Sequence, residues 1–339
     1  MASHVIPTID LSPFITATDY PKSQVPGTVK LGQSNGHVNK NSISISKEVV
    51  KKEISKACRE YGFFQIVNHG IPVDLMNYSL ELAKTFYALP DEEKMKRGPG
   101  APTQGGFKKN PEHLPDRNEF MYIFEPGSPK NVIPENPPQF KGVLEDIFPR
   151  YRNLASLIED IINDCLGLPP NFLKEYNDSR SYDHLLSLHY LPASDFENSG
   201  KVEHEDGNIV TFVLQDDVGG LEVLHNGEWI PVPPAAGTLV VNIGDTLQVL
   251  SNNRFKSATH RVVRPKGKTR NSYAFFYVLD VDKWVEPLPH FTTDIGEPPQ
   301  YRGFYFKDFV QGRVHDRLNP PARLEDRFCI KHYAISTSG

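Results

Sequence analysis

Residues 204–224, His204-Glu205-Asp206-Gly207-Asn208 followed by IVTFVLQDDVGGLEVL, decide how this chain is read. His204 and Asp206 are two apart, so on an extended segment both side chains leave one face and Glu205 leaves the other. A third metal ligand then has to arrive from a strand distant in sequence, which a wound β structure supplies. His260, at the start of an apolar run in SATHRVV, is the best placed, with His184, His189, His225 and His290 as alternatives. Two imidazoles and one carboxylate hold Fe(II) on one side and leave the opposite positions open for O2 and an organic ligand. Shortly downstream stands Arg270-Asn271-Ser272. The planar fork of Arg270 matches a carboxylate, and Ser272 would aim its hydroxyl to the same side of a strand. An isolated H-x-D or R-x-S motif is common by chance. Their order and strand context give the set its weight.

Outward from this stretch the texture is that of a β protein. Short apolar runs at 184–191, 209–214, 221–224, 238–243, 260–263 and 272–279 are punctuated by Gly, Pro, Asn and Asp, as in a sandwich, barrel or jelly roll. Before Asp183 the pattern is mixed. Residues 5–11 read as a strand, 46–60 as an amphipathic helix ended by Gly62, and 63–67 as a strand. Pro72 suits the start of a further helix, and 149–166 carries the clearest helical period. Segments 17–45 and 97–142 are rich in Gly, Pro and polar residues and read as loops, the second long enough for a binding loop or lid. The tail from Tyr301 is expected to be helical.

Composition narrows the class. A net charge of -5, spread along the chain, offers no surface for nucleic acid or an anionic membrane. No apolar run approaches the ~20 residues that span a bilayer. Three widely spaced cysteines, Cys58, Cys165 and Cys329, fit a reducing compartment better than a disulfide scaffold. A cytoplasmic monomer acting on a small molecule is the expectation.

The blocks HEDGN, QDDVGGLEV, GEWIPVPP, GTLVVNIGDTLQVLSN, SATHRVV and RNSYAFFYVLD, in that order, resemble the plant-type 2-oxoglutarate- and Fe(II)-dependent dioxygenases. IPTIDLSPF and KACREYGFFQIVNHGIP resemble the same family's leading segment, so the likeness spans nearly the whole chain. It implies a mainly β fold with flanking helices: a distorted double-stranded β-helix, or jelly roll, with an N-terminal α/β subdomain. Residues 1–180 would form that subdomain, 181–285 the core and 286–339 a C-terminal helix and tail. By match to the family motif, His204, Asp206 and His260 bind Fe(II). Arg270 and Ser272 hold 2-oxoglutarate, with Tyr190 of HYLP beside them. Ascorbate is the expected reductant.

The resemblance implies hydroxylation, desaturation, cyclisation or O-demethylation with release of succinate and CO2. The expected substrate is a small, mostly apolar specialised metabolite. By alternation from Ser272, Phe276 faces inward and is a candidate substrate contact. Phe120, with Phe107, Tyr122 and Phe124, and Phe304, with Phe306, are candidates to line or cover the mouth. The alternatives are an oxidase of the same fold that does not use 2-oxoglutarate, a hormone-metabolising dioxygenase, and a binding module without turnover.

Overall fold

The computed structural model describes residues 5–15, 46–96, 105–111, 116–194 and 198–336, and the expected loop at 17–45 lies outside them. The strands are β1 (Thr8–Asp10), β2 (Phe63–Val67), β3 (Gly106–Lys109), β4 (Asn118–Ile123), β5 (His184–Tyr190), β6 (Ser199–His204) and β7 (Val210–Gln215). They continue with β8 (Leu221–His225), β9 (Glu228–Pro231), β10 (Leu239–Ile243), β11 (His260–Val263), β12 (Arg270–Tyr277), β13 (Trp284–Val285) and β14 (Phe304–Tyr305). The helices are α1 (Lys47–Glu60), α2 (Val73–Tyr87), α3 (Asp91–Lys94), α4 (Phe140–Cys165), α5 (Phe172–Tyr176), α6 (Asp245–Leu250) and α7 (Phe306–Leu318).

An eight-stranded sheet runs β1-β2-β10-β7-β12-β5-β4-β3, and a four-stranded sheet runs β6-β11-β8-β9. Strands of the first half, β1 to β4, thus extend the sheet that β5, β7, β10 and β12 build. Strict alternation gives the large sheet two unlike faces. Phe64, Phe212, Leu214, Tyr273, Phe275 and Met121 face the helices and join one apolar core with the buried sides of α1, α2 and α4. There Phe275 stacks on Tyr151 and meets Phe148 edge-on. On the opposite face Phe63, Val240 and Tyr190 pack against Leu221, Val223, Ile230 and Val262 of the small sheet. Two sheets closed over this second core are a jelly roll, one of the architectures the apolar runs allowed and the one the resemblance implied.

Two expectations are corrected. The helix placed at 149–166 begins at Phe140, with Pro149 inside it. An interior proline costs about 3 kcal/mol. Burying Phe140, Val143, Leu144 and Ile147 contributes about 1.5–3 kcal/mol apiece, so packing wins. Pro149 itself is exposed, so the carbonyl that loses its helical partner can turn to water. The segment 97–142 is also less irregular than its composition suggested. It contributes β3 and β4, which pair in register Lys108↔Phe120 and continue to β5 through Phe120↔Leu188.

Gly220, at the start of β8, shows how tightly the small sheet closes. Its φ is +101°, and a Cβ there would stand 2.2 Å from the Val263 carbonyl oxygen. That backbone also accepts the Val263 N–H at 2.8 Å. Gly220→Ala is therefore expected to lower unfolding free energy by at least about 2 kcal/mol, measured by urea titration. An unchanged midpoint would show that the strand can shift without cost.

Candidate metal centre

β6 ends on His204 and β11 begins on His260, and the two are directly paired across an antiparallel ladder. Such partners project to the same face with Cβ atoms about 5 Å apart. Their rings accordingly lie 4.2 Å apart, tilted by 50°. The chain leaves β6 through Glu205, and Asp206 returns its carboxylate toward both rings: Oδ1 is 3.7 Å from His204 Nε2 and 3.8 Å from His260 Nε2. Donor atoms of all three lie within 4.8 Å of one another, the one such group among the described residues that could hold a metal ion. Glu205 turns elsewhere and accepts the Thr259 hydroxyl.

Each ligand atom is aimed by a second contact. Nδ1 of His204 is 2.8 Å from the Val202 carbonyl and Nδ1 of His260 is 3.1 Å from that of Ala258. A carbonyl only accepts, so Nδ1 carries the proton and Nε2 presents its lone pair to the centre. Asp206 Oδ2 accepts from the Thr211 hydroxyl at 2.7 Å and from Asn242 Nδ2 at 2.8 Å, which leaves Oδ1 for a cation. Burial pushes the Asp206 carboxyl up. The imidazoles of His260 and His204 and the two hydrogen bonds outweigh it and hold the group at about 2. Burial, with His260 close by, keeps the His204 imidazole well below its usual range. An ionised carboxylate beside a neutral imidazole suits a divalent ion.

Thr211 and Asn242 had no place in the sequence reading. The signal was present: each is a polar residue inside an apolar strand run, VTFVL and LVVNI. Outer contacts of this kind set metal affinity. Thr211→Val and Asn242→Leu should each weaken Fe(II) binding about 10- to 100-fold in anaerobic titration against a chelator. Wild-type affinity in both would mean that Asp206 needs no orientation from them.

Arg270 is 1% exposed. Nη1 donates to Ser272 Oγ at 3.0 Å and Nη2 to Gln215 Oε1 at 2.9 Å, while buried Nε has no partner among the described residues. Tyr190, its partner on β5, lies beneath the guanidinium with the ring centroid 5.1 Å away. No carboxylate forms an ion pair with Arg270 among the described residues; the nearby Asp216 is bonded to Asn271 instead. A buried, unpaired guanidinium is costly, and its natural complement is an anion. Gln215, overlooked in the sequence, also donates to the Val232 carbonyl at 3.1 Å and so anchors the fork.

The remaining candidates divide. Phe276 and Phe120 stand half-buried on the inner face of the large sheet, with Tyr122, Leu186 and Leu188. Phe304 does not join them: it is 4% exposed, stacked on Tyr333 and packed on Phe309 under α7. Phe306 and Phe107 are likewise core residues, Phe107 because alternation puts Lys108 rather than its neighbour on the inner face. Among the alternative histidines, His189 stacks on Tyr87, His225 on Tyr61, and His290 lies against Phe172, all outside the metal group.

Comparison with known proteins agrees with this geometry. Residues 182–278 match the 2OG-Fe(II) oxygenase superfamily, and residues 38–140 match the family described as non-haem dioxygenase in morphine synthesis N-terminal. Deacetoxyvindoline 4-hydroxylase of Catharanthus roseus is 33% identical over 85% of this chain and 75% of its own length. A flavonol synthase/flavanone 3-hydroxylase of Arabidopsis thaliana is 31% identical over 79% of this chain and 83% of its own. The crystal structure of JOX2 in complex with 2OG, Fe and JA superposes with a TM-score of 0.75 at 26% identity, covering 91% of this chain and 85% of that one. Since the matched core contains the His–Asp–His group and the buried arginine together, the chain belongs to the 2OG-Fe(II) oxygenase superfamily, as a dioxygenase working with iron and 2-oxoglutarate.

Proposed function

We propose that this dioxygenase oxidises a small, mostly apolar, ring-bearing plant specialised metabolite, with His204, Asp206 and His260 holding Fe(II) and Arg270 and Ser272 holding the far carboxylate of 2-oxoglutarate. When bound, iron and 2-oxoglutarate supply the oxidation: O2, 2-oxoglutarate and a substrate C–H bond give an alcohol, succinate and CO2. Loss of two hydrogens instead gives a double bond, succinate, CO2 and water. The chain's own residues position and exclude. Asp206 and the two imidazoles would hold the metal from one side and leave its remaining positions for reactants. Arg270, Ser272 and Tyr190 fix the co-substrate's distal end. The half-buried inner-face rings of Phe120, Tyr122 and Phe276 offer an apolar wall that keeps water from the reacting carbon.

The observation that carries the co-substrate assignment is the buried Arg270 fork, held from two sides and lacking a carboxylate. It speaks against an oxidase that dispenses with 2-oxoglutarate. The apolar wall supports the substrate class, as do relatives named as a deacetoxyvindoline 4-hydroxylase and a flavonol synthase/flavanone 3-hydroxylase. The test is a panel of flavonoids, coumarins, alkaloids, terpenoids and plant hormones incubated with Fe(II), ascorbate and 2-oxoglutarate. Succinate and product are followed by mass spectrometry. Ring-bearing specialised metabolites should stimulate succinate release stoichiometric with product. Stimulation by the hormones alone would refute the specialised-metabolite reading, and product formed without 2-oxoglutarate would refute the co-substrate.

A further inference from the structure

A row of side chains crosses the inner face of the large sheet from the metal centre outward. Asn242 pairs with Thr211, Thr211 with Phe276, and Phe276 with His184. The first two grip Asp206. Strands are about 4.8 Å apart, so His184 stands roughly 10 Å from Thr211, one aromatic ring beyond it. Its imidazole lies flat against Phe276, with centroids 4.9 Å apart and planes 10° apart. Tyr122 and Phe124 close the other sides at 5.4 and 6.3 Å. In this half-buried nest Nδ1 is 2.9 Å from the Tyr182 carbonyl. That contact puts the proton on Nδ1 and makes Nε2 an acceptor. Nε2 has no hydrogen-bond partner among the described residues, and burial holds the imidazole neutral, its pKa lowered to about 4.

We infer that His184 is a specificity-determining residue whose Nε2 accepts a hydrogen bond from a hydroxyl or N–H on a flat aromatic substrate seated along Phe276. This rests on the proposed assignment of the inner face as the substrate side, and it narrows the class: ring-bearing molecules with a free donor are preferred over their ethers. An apolar wall alone would favour the ether. A neutral acceptor set in that wall rejects it, because the acceptor loses its partner. His184 was weighed in the sequence only as an alternative ligand; its place two strands from Thr211 separates it from the metal.

The test uses the full chain with Fe(II) and 2-oxoglutarate under anaerobic conditions, so that binding is read without turnover. The probes are 2-naphthol, 2-methoxynaphthalene and naphthalene, titrated by ligand-observed NMR. Wild type should bind 2-naphthol about tenfold more tightly than either analogue. His184→Phe should bring the three affinities together, and His184→Gln, which keeps an acceptor, should restore part of the preference. A merely structural role would weaken all three probes alike. Equal affinities in wild type, a preference that survives in His184→Phe, or failure of all three to bind would each overturn the inference. Should His184→Phe not fold, a His184→Gln protein without any residual preference would overturn it as well. Succinate release by wild type, measured separately in air, reports on the co-substrate reading without involving these probes.

Discussion

Asp206→Ala protein, supplied with Fe(II), ascorbate and 2-oxoglutarate, is expected to release no succinate above the metal-free background. Asp206 is the only carboxylate in the metal group and supplies its one negative charge. Removing it leaves only the two imidazoles and strands the Thr211 hydroxyl and the Asn242 amide, which now point at nothing ionic. Loss of an outer contact already costs about 10- to 100-fold in metal affinity, so loss of the carboxylate itself should exceed that range. His204→Ala should behave alike. Iron affinity and succinate release have to fall together. If either variant kept full turnover, the ligand assignment would be wrong.

The second large effect concerns Arg270. Arg270→Met should weaken 2-oxoglutarate binding by at least about 30-fold, because removing one partner of a buried charge pair costs about 2–5 kcal/mol. The same variant carries a sharper signature. The native guanidinium is 1% exposed and has no ion-pair partner among the described residues, so methionine in its place should leave the protein equally or more stable when no 2-oxoglutarate is added. With 2-oxoglutarate, wild type should gain thermal stability and Arg270→Met should gain almost none. Arg270→Lys keeps the charge but loses the fork and should fall between them. Paired thermal melts check all of this. An apo Arg270→Met protein that melts well below wild type would identify Arg270 as a structural residue instead.

How much of this was legible in the sequence varies with how local each cause is. The H-x-D spacing, the R-x-S pair and the apolar strand runs are short-range patterns; the first and the last pointed to His204, Asp206 and His260, which the fold gathers within 4.8 Å, and the second to the buried Arg270 fork. The helix at 47–60 was equally readable, since Ser46 accepts from the Val49 N–H and Gly62, at φ +66°, lets the chain turn. Pro149 misled because its penalty is local while the compensation comes from helices packed on Phe140 to Phe148. Phe304 misled for a related reason: an aromatic residue in a tail has the same sequence signature whether it lines a mouth or is buried against Tyr333.

Sequence alone determined the chemistry available: two imidazoles, one carboxylate, one fixed cation and a sheet with alternating faces. Tertiary structure decided which atoms do what. Cross-strand register set His260 opposite His204, turned Asp206 Oδ2 toward Thr211 and Asn242, and put His184 against Phe276. Register is a long-range property, chosen by which faces can be buried together. Desolvation is long-range too. Only the closed fold makes Arg270 a buried cation in need of an anion, and His184 a neutral acceptor among rings.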